Sequence, residues 1–265
     1  MVDVSAGSDL MAPGEFRIGD AIRRSLSIFG QHWRRFLLVT GIAAIPYLGI
    51  YWFEGSLVHD LRHQMMQAPD VALMQQSRSA GGLTNLFSLL GAILTVIAQA
   101  AIFHNAFAIM AGRDVGMRES VRAGTARFWP MIGLGIILAL GLMFGFALLV
   151  VPGFMLLTMW FAAFPACVVE KLGPIRSLNR SAALTKGNRW KLLGLIVLLL
   201  IAAMIVGGVT VGVLVMIGGI GFAVGQYALH AVSTAFTAIV TVVVYHDLRV
   251  AKEGADPATI AMVFN

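Results

Sequence analysis

Six blocks of apolar residues alternate in this chain with short segments that hold almost all of its bases. The blocks are Phe36–Phe53, Leu83–Ala111, Trp129–Val150, Phe154–Val169, Leu192–Met216 and Phe222–Tyr245. A helix rises about 1.5 Å per residue, so roughly 20 residues cross a hydrocarbon core of about 30 Å. Inside that core the backbone finds no water, and a helix satisfies its N–H and C=O groups within one segment. Composition agrees: 58% of residues are apolar, only 12% are charged, and the mean hydropathy is +0.85. Soluble domains carry about a quarter charged residues. The chain reads as an all-α, polytopic membrane protein with about six transmembrane helices.

The basic segments look like copies of one unit. Gly112, Ser120 and Trp129 each stand 61 residues before Gly173, Ser181 and Trp190. A third copy over Phe16–Leu38 aligns at Trp33 when one residue is dropped between Ser25 and Trp33. In this copy Ile18, Ile22, Leu26, Phe29 and Trp33 form one apolar helical stripe, with Arg17, Asp20, Arg23, Arg24 and Gln31 off it. Such a helix is expected to lie in the membrane interface. The organisation expected is therefore three repeats of an amphipathic interfacial helix plus a helical hairpin, at about 16–111, 112–171 and 172–250. They form one transmembrane domain over 16–250, between a flexible leader (1–15) and a tail (251–265). The leader holds acids, no base and no apolar run, so it reads as retained rather than as a cleaved signal.

All but Arg62 and Arg78 of the 19 lysines and arginines fall before the first block, between the second and third, between the fourth and fifth, or in the tail. Under the positive-inside rule this places both termini and all three surface units in the cytoplasm. A net charge of +6 and a pI near 10 would suit nucleic acid if the bases formed one face, but their confinement next to apolar blocks points to anionic lipid headgroups instead. Arg176, Arg180, Lys186 and Arg189 are the candidate headgroup contacts. Glu170, where the fourth block ends, is expected to pair with Arg180 and pin the third unit.

Within the apolar blocks, Gln226, His230, Ser233 and Thr237 fall at spacings of four, three and four, on one helical face. Unpaired polar groups are costly in hydrocarbon, so this face is expected to point into the bundle, as interhelical hydrogen bonds or as the wall of a polar cavity. His104 and His230 lie toward opposite ends of their spans and have no accompanying carboxylate, which argues against a metal. The single cysteine, Cys167, excludes an intramolecular disulfide. Glycine pairs four apart, Gly141/Gly145, Gly208/Gly212 and Gly221/Gly225, read as intrachain packing sites. Val151-Pro152-Gly153 reads as a turn, and Pro46 and Pro165 as interruptions of the first and fourth spans. No nucleophile elbow, phosphate-binding glycine loop or zinc-helix motif occurs, so neither an enzyme nor a cofactor is expected.

The run VVPGFMLLTMWFAAFPACVVEKLGPIRSLNRSAALTKGNRWKLLGL, with Pro152-Gly153, Pro165, Glu170, Arg180-Ser181, Leu184, Gly187 and Trp190, resembles the membrane domain attached to some bacterial glycerophosphoryl diester phosphodiesterases. Phe16-Arg17-Ile18-Gly19-Asp20 and the tail HDLRVAKEGAD resemble uncharacterised relatives. In the fused enzymes the chemistry belongs to a separate soluble domain, so the resemblance implies the membrane part without the activity. The expected function is a non-enzymatic inner-membrane module that binds lipid or organises envelope proteins through its basic helices. The alternative is a transporter or channel with its path along Gln226–Thr237, and a lipid-modifying enzyme stands third. Membrane lipids, anionic ones above all, and a membrane-protein partner are the partner classes implied.

Overall fold

The structure, a computed structural model, describes residues 16–64 and 81–254. Its elements there are nine α-helices: α1 Ile18–Gln64, α2 Gly81–Met110, α3 Met117–Ala126, α4 Phe128–Leu148, α5 Val150–Met159, α6 Ala163–Val169, α7 Pro174–Thr185, α8 Arg189–Ile217 and α9 Gly219–Glu253. Among the described residues six stretches are long and apolar enough to cross a membrane: Ile18–Trp52, Thr84–Met110, Phe128–Leu148, Val150–Val169, Arg189–Ile217 and Gly219–Glu253. The chain is a multi-pass, all-α membrane protein. The leader, the far part of the first loop with Arg78, and the tail beyond Gly254 lie outside the described residues. α1 runs on past the first span to Gln64.

The helix ends that carry bases meet at one end of the bundle. Arg24 bonds Asp247 at 2.5 Å, Arg35 bonds Asp114 at 2.7 Å, and the backbone carbonyls of Phe16 and Lys171 accept from Lys191 and Arg127. The packed core lies toward this basic end. Phe36, Ile102, Met131, Leu134, Leu192, Leu195, Ile239, Tyr245 and Leu248 are fully buried. At the opposite end Leu148, Leu149, Val151, Met216, Ile217 and Ile220 are exposed. In lipid that exposure costs little, because acyl chains are as apolar as leucine.

The first unit and the first span are two helices that meet at a kink. α1 covers both, with one non-helical residue, His32 (φ −122°, ψ 17°), between the two parts. Pro46 lies inside the same helix without being the break. The buried residues, Ala21, Ser25, Ile28 and Phe36, sit beside the expected apolar stripe rather than on it, and Leu26 and Trp33 are exposed. Small side chains explain the rotation: Ala21 and Ser25 let the α1 backbone approach its main neighbour, α9.

The fourth span is broken elsewhere than expected. α5 ends at Met159 and α6 begins at Ala163, so the break falls at Trp160–Ala162. Pro165 sits in the first turn of α6, where a missing N–H removes no intrahelical bond. The turn expected at Val151-Pro152-Gly153 is likewise displaced. The chain reverses at Leu149 (φ −164°, ψ 154°), and Pro152 occupies the first turn of α5.

Glycine pairs divide into two kinds. A Cβ on Gly141 would meet the Trp160 ring at 2.4 Å, and one on Gly145 would meet Leu156 at 2.8 Å, so the α4–α5 hairpin closes on these glycines. Gly221 and Gly225 face Ile217 and Leu214 in the same way across the α8–α9 turn, which Gly218 makes at φ +66°. A Cβ on Gly208 or Gly212 would meet nothing within 4 Å among the described residues, so these two are not packing sites there, contrary to expectation.

Candidate functional site

The third basic unit is held by an ion-pair lattice at the basic end. Proline at its first position and Gly173 before it start α7. This places Arg180 against the end of α6, where both Glu170 carboxylate oxygens accept from its Nε at 2.8 and 2.9 Å. The Arg180 guanidinium also bonds Glu253, which Arg249 holds at 2.9 Å, and the Tyr245 hydroxyl donates to Glu170 at 2.6 Å. Tyr245, Arg249 and Glu253 follow one another at spacings of four, so α9 offers all three on one face. Burial alone would lower the pKa of Arg180, but hydrogen bonds to Glu170 and Glu253 raise it above the ordinary value. Two carboxylates and two guanidiniums balance in charge, and the cluster ties α6, α7 and α9 together.

An adjacent face of α7 closes the broken span. Ser181, fully buried, donates to the Met159 carbonyl at 2.8 Å and accepts from the Ala162 N–H at 3.1 Å, and Thr185 adds a bond to the same carbonyl at 3.3 Å. Two backbone groups freed by the break are thus satisfied by one side chain. The α3 unit uses its serine differently. Ser120 accepts from Asn105 of α2 at 3.1 Å, and Asn105 also donates to the Val115 carbonyl at 3.0 Å. One turn on, Gly124 lies so close to α2 that a Cβ would sit 2.7 Å from the Ile97 carbonyl oxygen.

The four candidate headgroup contacts separate. Arg180 is consumed by Glu170 and Glu253, and its side chain is 26% exposed. Arg176 and Lys186 are exposed and have no ion-pair partner among the described residues. Arg189 is half-buried, with Nε lacking a partner there. Trp33, Trp129 and Trp190 open the first, third and fifth spans and are all exposed, with Arg34 5.4 Å from the Trp33 ring centre.

The stripe Gln226–Thr237 does not face the bundle as a unit. Ser233 and Thr237 are exposed, and the Ser233 hydroxyl donates to the His230 carbonyl of its own helix. This local bond removes the need for an interior partner. Only the outer part turns inward: His230 packs 4.6 Å from the Tyr47 ring, and Gln226 is half-buried. The α9 face that packs is the smaller one, Ala231, Ala235 and Ala238.

A cleft of about 330 Å³ lies where α2 and α6 end and α3 begins. Phe107, Ala108, Ala111, Val115, Val168 and Val169 form its apolar walls, and His104, Arg113, Glu119 and Lys171 supply its polar groups. Lys171 stands at φ +54°, an unusual backbone conformation for a residue with a Cβ, which turns the chain between α6 and α7.

The family described as a domain of unknown function (DUF7847) matches residues 67–248. The chain belongs to that family. The DUF7847 match covers α2 through most of α9, so the cleft, the broken span and the Glu170–Arg180 pair fall inside it, while α1 and Glu253 fall outside. No curated protein and no solved structure matches the chain.

Among these features, sequence reading had named Glu170 and Arg180 but missed Tyr245, Arg249 and Glu253, which were assigned to a span end and a tail. Their four-residue spacing was the available signal. It also passed over Asn105 as a neighbour of His104 and did not assemble the cleft, whose residues come from three segments.

Proposed function

We propose that the chain is a non-enzymatic module of the bacterial cytoplasmic membrane, with both ends of the chain in the cytoplasm, that binds anionic lipid headgroups at its basic end. The observation that carries this reading is the exposure of Trp33, Trp129 and Trp190, with Arg34 over the Trp33 ring, together with the exposure of the bases Arg176 and Lys186, which have no ion-pair partner among the described residues. Tryptophan favours the headgroup level, where its ring is apolar and its N–H is wet, and each nearby base contributes about 1 kcal/mol of attraction to an anionic surface. The basic-segment count supports the orientation, and the resemblance to phosphodiesterase membrane domains supports a bacterial membrane part without their chemistry. The similar burial of Ser25, Ser120 and Ser181, all fully buried, supports descent of the three units from one design.

The test is lipid selectivity by spin-label electron paramagnetic resonance on the chain reconstituted in mixed bilayers. The wild type should immobilise anionic lipid in preference to zwitterionic lipid, and Arg176→Glu with Lys186→Glu should abolish most of the preference. Equal selectivity in both would remove the reading.

A further inference from the structure

The cleft between α2, α3 and α6 differs from the tryptophan-lined rim in being concave. At about 330 Å³ it lies at the lower end of the volumes that hold small ligands, about 300–1,000 Å³. Its polar groups are not spent on the protein. Among the described residues Arg113, Lys171 and Glu119 have no ion-pair partner, and the buried Nδ1 of His104 has no hydrogen-bond partner. That contrasts with Arg180, whose guanidinium is saturated by two carboxylates a short distance along the same end of the bundle. Two bases against one carboxylate leave the lining with an excess of one positive charge, counting His104 as neutral. The walls beneath, Phe107, Ala108, Val168 and Val169, are apolar.

We propose that this cleft binds one phosphate group carrying an alkyl substituent, held by Arg113 and Lys171 at the mouth and packed by its carbon part against Phe107 and Val168. A phosphodiester's single negative charge cancels the lining's excess. The inference rests on the headgroup reading in one respect, that this end of the bundle meets the headgroup layer, but it assigns a discrete, saturable site rather than a charged surface. Glu119 is the residue that opposes the anion, and His104 Nδ1 offers one further hydrogen-bonding position to the ligand. The same chemistry is presented by a lipid headgroup and by a soluble phosphoester.

The experiment is calorimetric titration of the full chain in a neutral maltoside detergent with two probes, inorganic phosphate and a six-carbon-chain phosphatidylglycerol, a phosphodiester, below its micellar concentration. Saturable binding at one site per chain is expected for the lipid. If phosphate binds comparably, the site serves soluble phosphoesters as well; if only the lipid binds, it is a headgroup site. Arg113→Gln with Lys171→Asn should weaken binding at least tenfold, asparagine being chosen because it tolerates positive φ. Glu119→Gln should tighten it several-fold, a gain that misfolding cannot produce, and Arg176→Gln should leave it unchanged. Absence of saturable binding by either probe, or affinities unmoved by both the double variant and Glu119→Gln, would overturn the proposal. That result is separable from failure of the headgroup reading, which is measured as bilayer selectivity in the Arg176 and Lys186 variants.

Discussion

Ser181 Oγ lies 2.8 Å from the carbonyl oxygen of Met159, and the same atom accepts the Ala162 N–H across the break in the fourth span. A short helix lying at the bundle's end thereby completes the backbone bonding of a helix that would otherwise expose two polar groups in a buried place. Ser181→Ala should destabilise the protein by about 1–3 kcal/mol, the cost of leaving buried backbone groups unmade. Ser177→Ala, whose hydroxyl donates to the Gly173 carbonyl of its own segment and bridges no break in a span, should cost clearly less. Reversible unfolding in mixed micelles reads both, and equal losses would deny Ser181 its bridging role.

Arg180 stands between Glu170 and Glu253, so its loss strips Glu170 of its guanidinium and leaves Glu253 to Arg249 alone. Arg180→Ala should cost about 1–3 kcal/mol, between the ranges for exposed and for buried ion pairs, because the three side chains are partly exposed. Arg176→Ala, on an exposed neighbouring position, should be within about 0.5 kcal/mol of wild type. A double-mutant cycle with Glu170→Gln should show strong coupling, and additive losses would mean that the contact does not stabilise the fold.

Gly124 and Gly208 are opposite cases of the same residue. A Cβ at Gly124 runs into the backbone of α2, so Gly124→Ala should cost about 1–3 kcal/mol through overpacking. Gly208 meets nothing, and Gly208→Ala should stabilise the isolated chain by about 0.5–1 kcal/mol through helix propensity. Thermal denaturation in detergent separates the two signs.

Asp114 is fully exposed, and the hydrogen bond and charge of Arg35 hold its carboxyl below the usual aspartate value. The contribution of this pair is therefore fully present above the unfolded pKa, near 4, and is lost as pH falls through the lower folded value. Carbon-detected NMR titration should place the Asp114 midpoint below that of an unstructured aspartate, and Arg35→Gln should move it back up. A midpoint unchanged by that substitution would show that the two side chains do not meet.

The six spans were legible because bilayer thickness imposes a length and a composition on each of them, whatever their neighbours. Glu170 with Arg180 was legible for a related reason: a lone carboxylate at a span end beside a basic helix has few ways to be satisfied. The position of the break at Trp160–Ala162 was not, because proline marks where a helix tolerates a missing donor, and Pro165 found that place in a first turn. Hydropathy also misjudged which face of α1 packs. In lipid the closest helix contacts go to the smallest side chains, so Ala21 and Ser25 are buried while Leu26 is left outside. Ser233 could turn outward because its own helix satisfies its hydroxyl, at the His230 carbonyl.

The most direct measurement of the account's central claim is native mass spectrometry of the wild-type chain released from nanodiscs of equal anionic and zwitterionic lipid. The account predicts that a small, fixed number of anionic lipids stays bound and that zwitterionic lipid leaves first. Release of a bare chain, or equal retention of both lipids, would contradict it.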